Sequence, residues 1–441
     1  MAKIIISFIG TGGYADRSNK SRGEYRKTLY SIDNRKYETE FIATALMEHH
    51  SADKIIYIGT LKAMWDVVYD SYTENPSSEV WEKLSNDVEQ ANHNTDINKG
   101  DFIKEVFKNS KIAPVIIKYG LNNQEHQFNI QQLFEIENHI QSGDQLYLDI
   151  THGFRSLPLI LTNVLNFIVD HIKKNISVED ITYGMHEVSN ELDGISPIVS
   201  LGVLKDLNNS IKASHEFIEY GNAYLFSKIL SEIKESKSAS VLLKDFSNTK
   251  SLNHIYNLKQ SIIKLKGIQL NNLTPLQSLT IPKTIKSFID LFKNAKDDSH
   301  FQFEIAVWNL KNHSYGYAAI GLSESIVSKV CECLNIDSKD EFSRSLAKKV
   351  FNKEKQNKVQ NELKKYLEFK GRKDLIDEIP IILKKRATFS GYVNLFKKIN
   401  KIRIIVAHAI EHPYSVDQLL NNLNSSIEET KEFIYSDKFS Y

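Results

Sequence analysis

Five short apolar runs punctuate the first 185 residues: "KIIISFIG" (3–10), "KIIYIGT" (54–60), "APVIIKYG" (113–120), "DQLYLDI" (144–150) and "DITYGM" (180–185). Segments of helical period lie between them, clearest over 38–50 and 154–173. Strands separated by helices predict a mostly parallel, doubly wound sheet, an α/β unit of Rossmann-like form. In the second helix Leu157, Leu161, Val164, Ile168 and Ile172 fall at three- and four-residue steps, predicting one buried face, and Pro158 sits in the first turn, where its missing N–H costs little. From about residue 206 the strand signals stop. Patterns such as "SHEFIEYGNAYLFSKILSEI" and "FSGYVNLFKKINKIRIIVAHAIEH" predict an all-α second half. The expected boundaries are 1–205 and 206–441. Neither a Pro/Gly cluster nor a low-complexity tract marks the join, so continuous helix over 206–234 is expected to connect them, and no internal repeat stands out.

Charge divides the chain at the same place. The net charge is only +1, yet residues 1–206 carry 20 Lys+Arg against 29 Asp+Glu and residues 207–441 carry 36 against 26. A basic helical half is the footprint of a domain that meets a polyanion, although lysine-rich solvated helix faces give the same balance. No apolar run approaches the roughly 18–20 residues that cross a bilayer, and "MAKIIISFIGTGG" continues as a strand where a cleavage site would lie. The reading is a soluble cytoplasmic protein without membrane partners. Cys331 and Cys333 are the only cysteines; without a second pair they read as reduced thiols and predict no metal site.

In an open parallel sheet, ligands bind beyond the carboxyl ends of the strands. Three such ends carry suitable residues: "IGTGGY" (9–14), "IGTLKAMW" (58–65) and "DITHGFR" (149–155). Gly10, Gly12, Gly13 and Gly153 let backbone amides approach an oxyanion, and the helix after residue 153 aims its first N–H groups at the same point. Thr11, Thr60 and Thr151 are candidate hydroxyl donors, His152 a donor or loop-ordering group, and Arg155 a fixed charge with bidentate geometry. Such a set suits phosphate. "GTGGYA" also matches the G-x-G-x-x-A dinucleotide fingerprint, but that motif needs a helix to begin at once, whereas "YADRSNKSRGEYRKTLYS" is polar and aperiodic.

In the helical half "NKIRIIVAHAIEH" places Arg403 and His408 five residues apart, about 140° around a helix. A histidine near neutral pKa moves the proton of a ribose 2′-hydroxyl, and an arginine holds a scissile phosphate. Those are the minimal parts of metal-independent RNA cleavage. Read from the residues alone, the spacing is too common to single out chemistry and a structural pair is the favoured reading, with Arg403 bound to an acidic neighbour and His408 as a satisfied imidazole.

The Asp-x-Thr-His-Gly core of "DITHGF", together with "GTGGY" after the first strand, resembles the CARF (CRISPR-associated Rossmann fold) sensor domain. Arg403-x4-His408 in a helical domain looks like the HEPN ribonuclease motif, and "AVWNLKNHSYGYAAIGLSESI" resembles another part of that pattern through Trp308, Asn312, Ala318 and Glu324. Together they are similar to the CARF–HEPN ancillary ribonucleases of type III CRISPR systems, in antiviral defence. The resemblance implies a homodimer, open to larger assembly. Its CARF domains would bind cyclic oligoadenylate, preferably tetra-adenylate with hexa-adenylate the alternative, through 10–14 and 151–155, Tyr14 and Phe154 included. Its HEPN domains would form a composite endoribonuclease site for single-stranded RNA, allosterically activated and without cofactor. Thr151 and His152 would also permit slow cleavage of the bound ring. This chain departs from the pattern at Ile404, where many HEPN motifs carry asparagine; Asn400, one turn earlier, is the candidate support. Phe154 and Arg155 are assigned from charge and position. The competing readings are a CARF regulator that binds nucleic acid without cutting it and a nicotinamide-dependent enzyme.

Overall fold

The computed structural model describes residues 1–12, 14–16, 21–22, 27–172, 175–349, 351, 356–371, 373–380, 386–408 and 414–436, with backbone alone at 14–16, 21–22, 356–357, 359, 374–375, 378, 386–388 and 408. Contacts divide the chain into two compact units, Met1–Leu207 and Asn208–Tyr441.

The strands of the first unit are β1 (Lys3–Phe8), β2 (Tyr14–Asp16), β3 (Ser21–Arg22), β4 (Thr28–Ile32), β5 (Arg35–Thr39), β6 (Lys54–Thr60), β7 (Ile112–Ile117), β8 (Gln145–Asp149), β9 (Ser177–Gly184) and β10 (Ile195–Ser200). Eight form one sheet in the order β5-β4-β10-β9-β8-β1-β6-β7, and β2 and β3 pair separately. The run from β9 through β8, β1 and β6 to β7 is parallel; β10 is antiparallel to β9, and β5 to β4. Helices α1 (Ile42–His50), α2 (Trp65–Tyr72), α3 (Ser78–Gln90), α4 (Gly100–Val106), α5 (Asn123–Phe134) and α6 (Leu157–Phe167) complete the unit. It has the mostly parallel, Rossmann-like architecture expected.

Burial explains why the central strands are continuous apolar runs. Along β1, Ile5 faces one core with Ile55, Tyr57 and Trp65, whereas Ile4, Ile6 and Phe8 face another with Ile56, Leu148 and Leu161. Both faces are covered, so beyond Lys3 at the strand's start no position is left for polar residues, with one exception described below. Pro114 is tolerated because β7 is an edge strand.

Several expectations are corrected. The hairpin β4–β5 and strand β10 were not anticipated; Asp33 and Asn34 turn the hairpin with φ of 47° and 66°, the left-handed pair that two-residue hairpins require. Residues 38–39 belong to β5, and the first helix starts at Ile42. The predicted helix over 154–173 is α-helical only from Leu157 to Phe167, then widens to π winding over Ile168–Ile172. That change of period turns Ile172 outward, to 37% exposure, while Leu157, Leu161, Val164 and Ile168 remain buried.

Helix α7 (Val203–Tyr220) runs across the boundary between the units. It does not continue to 234: Gly221, at φ +62°, ends it, and α8 (Tyr224–Ser231) starts afresh. There follow α9 (Lys237–Ser251), α10 (Ile255–Leu265), α11 (Pro275–Asp290), α12 (Asp298–Lys311), α13 (Tyr315–Cys333), α14 (Glu341–Lys349), α15 (Gln356–Phe369), α16 (Val393–His408) and α17 (Val416–Tyr435). No strand lies among the described residues of the second unit. Helix α12 is buried nearly all round because it serves two cores, Phe301, Ile305 and Trp308 in one, Phe303 and Ala306 in the other. Among the described residues no helix is long and apolar enough to cross a membrane.

Candidate functional site

Parallel pairing brings the carboxyl ends of β1, β6 and β8 to one edge of the sheet, with Ser7 opposite Asp149 and Phe8 opposite Ile58. The loops that leave these ends are tied to each other: Ile9 N–H donates to the Ile58 carbonyl at 2.9 Å and Met64 N–H to the Gly10 carbonyl at 3.2 Å. Gly12 is left-handed, φ +72°, and any side chain on it would run into the Met64 thioether. Thr11 and Gly12 are exposed there. Helix does not follow: among the described residues Tyr14–Asp16 is strand, so the "GTGGYA" match lacks the helix that dinucleotide binding requires. Gly13 lies outside the described residues, as does the Tyr14 side chain.

The loop after β8 is held by a buried carboxylate. Asp149, fully buried, accepts from Ser7 Oγ at 2.6 Å, from Thr151 Oγ1 at 2.5 Å and from Thr151 N–H at 3.1 Å. Burial raises its pKa against the opposing pull of His152 and these donors. Thr151 Oγ1 also accepts from Gly184 N–H at 2.8 Å, on β9. Its one proton is spent on Asp149, so Thr151 does not offer the hydroxyl donor expected of it; it braces the loop. Gly153 passes so close to the Phe8 ring that a Cβ would lie 2.9 Å from it. Thr60 is likewise corrected: it is 5% exposed, and its carbonyl accepts the Trp65 indole N–H at 2.9 Å and Ala63 N–H at 3.0 Å, closing the turn after β6.

What this brace presents outward is His152, Phe154 and Arg155, all exposed. Phe154 leans on Tyr119 with ring centroids 5.7 Å apart. Arg155 forms no ion pair among the described residues. The crowded loop lowers the His152 pKa below the ordinary imidazole value; Asp149 opposes that shift and His186 adds to it. His186, whose Nδ1 lies 3.0 Å from Ser196 Oγ, and Tyr119 were missed in the sequence. The edge is therefore a fixed backbone cradle with a guanidinium, an imidazole and an aromatic face, a chemistry suited to a nucleotide phosphate and its base.

In the second unit, Arg403 lies on α16, half-buried, beside the buried Ile399 and Ile402. No carboxylate pairs with it among the described residues. Asn400 is half-buried one turn earlier on the same face. His408 ends the described helix and its side chain lies outside the described residues. Trp308, set edge-on to Phe288 at 5.5 Å, and Ala318 are core residues. Glu324 is bound by Arg344, which also donates to Ser328 Oγ at 2.9 Å. Both cysteines are buried, neither in a disulfide, and burial pushes the Cys331 thiol up to about 12.

Residues 4–187 match the family model of the CARF domain of the CRISPR system endoribonuclease Csx1. Residues 206–299 match that of the second domain of the CRISPR-associated protein MJ1674. Over residues 4–187 the chain is therefore similar to a CARF domain, and over 206–299 to the second domain of a CRISPR-associated protein. It is 30% identical to the CRISPR-associated protein MJ1674 of Methanocaldococcus jannaschii over 358 residues, 77% of this chain and 55% of that one. The chain thus spans little more than half the length of that relative. A solved structure, Enterococcus italicus Csm6 bound to cyclic hexa-2'-fluoro-hexa-dAMP, aligns with all of this chain and 98% of that one at 12% identity, with a TM-score of 0.33, below the level at which a common fold follows.

The CARF match contains every strand-end residue described above, including the Asp149 brace. Ser7 was legible in retrospect: it is the one hydroxyl inside "KIIISF", a strand otherwise buried in two apolar cores.

Proposed function

We propose that this protein is a metal-independent endoribonuclease of type III CRISPR antiviral defence, activated by cyclic oligoadenylate and acting as a homodimer. The CARF domain, residues 1–205 in this reading, is the sensor, and the helical part, 206–441, is a HEPN ribonuclease. The observation that carries the sensor role is the braced loop at 149–155, which spends its buried hydrogen bonds on fixing the backbone and leaves Arg155 uncommitted beside an aromatic face. A cyclic ligand of repeated adenylates suits a two-fold site, because an isologous dimer offers the same loops twice.

Arg403 supports the catalytic half of the reading. A half-buried guanidinium without a carboxylate is available to a phosphate, and the acidic-neighbour alternative finds no partner among the described residues. In the proposed reaction the ribose 2′-oxygen attacks the adjacent phosphorus and the bond to the 5′-oxygen breaks, giving a 2′,3′-cyclic phosphate and a 5′-hydroxyl. Arg403 stabilises the charge on the non-bridging oxygens, and His408 assists proton transfer. Asn400 supports the arginine.

The test is release of fluorescence from a quenched single-stranded RNA in EDTA, without activator and then with cyclic tetra- or hexa-adenylate. Stimulation by one ring size, tetra-adenylate being the expectation, supports the reading. Messenger binding with no cleavage overturns the nuclease assignment in favour of a sensor that does not cut.

A further inference from the structure

The turn that carries Arg403 is in contact with the corner between α12 and α13. A Cβ on Gly316, at the start of α13, would lie 3.0 Å from Val406 Cγ1, and Val406 is one turn beyond Arg403. Only glycine lets α13 approach so closely. The corner between α12 and α13 therefore abuts the candidate catalytic helix.

Two side chains at this corner have unused capacity. Lys250, on α9, lies half-buried between two rings, its Nζ 5.5 Å from the Trp308 centroid and 5.4 Å from that of Tyr317. Its stem crosses Gly221, where an added Cβ would come within 3.4 Å. Tyr317 is held in place by its hydroxyl donating to the Ser251 carbonyl at 2.9 Å. Lys250 has no ion pair among the described residues, and desolvation lowers its pKa. His313 is exposed in a left-handed conformation, φ 57°, with Nδ1 2.8 Å from the Tyr315 hydroxyl. That contact orients the ring and leaves Nε2 without a partner among the described residues.

A desolvated cation with no counter-charge is costly unless a ligand supplies one. An oriented, exposed imidazole beside it adds a hydrogen bond that a phosphodiester or a splayed base accepts. We infer that Lys250 and His313 form a substrate subsite that holds single-stranded RNA beside the Arg403 turn, Lys250 on a backbone phosphate and His313 on the neighbouring nucleotide. This rests on the ribonuclease reading and deepens it.

The experiment is fluorescence anisotropy of a labelled oligouridine strand on the full-length Arg403→Ala protein, at saturating messenger and several salt concentrations. Adding Lys250→Met, which keeps the packing between the rings, is expected to weaken binding about tenfold at low salt and to reduce the slope of log affinity against log salt by about 0.7. Lys250→Arg restores both. His313→Gln, at an exposed position, gives a loss of similar direction and decides the matter if Lys250→Met fails to fold. Affinity within twofold of the parent for both variants, with an unchanged slope, overturns the subsite. If the wild-type protein cleaves RNA while the variants bind normally, only the subsite falls; if it neither binds nor cleaves RNA with either ring, the subsite and the ribonuclease reading fall together.

Discussion

The loop after β8 and the Arg403 turn of α16 carry similar groups, an arginine and a histidine a few residues apart, but the fold treats them differently. In the loop, His152 and Arg155 stand on a backbone fixed by a buried carboxylate, a hydroxyl from a neighbouring strand and a glycine pressed against Phe8. On α16, Arg403 projects from one face of a helix with no carboxylate to hold it among the described residues. A cradle built from backbone binds a ligand of fixed shape. A helix face supplies charge and leaves the rest of the site to other elements, as the proposed composite centre requires.

Breaking the helix-face side of this comparison gives the largest effect. Arg403→Ala is expected to lower RNA cleavage at saturating activator by about 10²–10³-fold, the loss found when one transition-state donor is removed. Single-turnover kinetics measures it, and calorimetry should find messenger binding within twofold. Equal losses in both measurements would mean that Arg403 supports the fold.

On the cradle side, Arg155→Ala is expected to weaken cyclic oligoadenylate binding by about ten- to a hundredfold, since a charge-assisted hydrogen bond contributes roughly 1.5–3 kcal/mol. Cleavage titrated against messenger should shift to higher concentration and reach the same plateau. A lowered plateau would assign Arg155 to transmission of the signal.

The same contrast explains what could be seen in the sequence. Strands β1, β6, β7 and β8 were legible because a strand buried on both faces has to be a run of apolar residues. The hairpin β4–β5 was not, because it mixes Tyr30, Ile32 and Tyr37 with exposed charges, and its one clear sign is the Asp33-Asn34 turn. At the site, the crowding of Thr151, His152, Gly153 and Arg155 marked the loop, but not which groups face inward. That depends on Ser7, which lies 142 residues from Asp149 in the chain. The break after α7 had a local sign in Gly221 and was passed over because the surrounding pattern stays amphipathic.

Smaller effects test the brace itself. Asp149→Ala leaves the Ser7 and Thr151 donors without their acceptor and is expected to cost about 2–3 kcal/mol. Gly153→Ala forces a methyl against the Phe8 ring and is expected to cost about 1–3 kcal/mol. Thermal unfolding of the full chain checks both, and messenger affinity should fall with them. If Gly153→Ala unfolds at the wild-type temperature, the loop moves aside more easily than a fixed cradle allows.

The smallest expected effect is a pH dependence of stability. The folded loop holds the His152 pKa below the ordinary 6.5, chiefly by desolvation, with His186 adding to the shift and Asp149 opposing it. As pH falls through 6.5 the unfolded chain takes up a proton that the folded loop resists, so this stability is present above 6.5 and is lost as pH falls. His152→Gln removes that difference. The gap in unfolding temperature between wild type and variant should therefore move in the variant's favour from pH 7.5 to pH 5.5. Asp149 and His152 act on each other, so the comparison reads the pair, with the imidazole as the group removed. A gap that moves the other way would mean that the folded loop favours a charged His152, with Asp149 as its counter-ion.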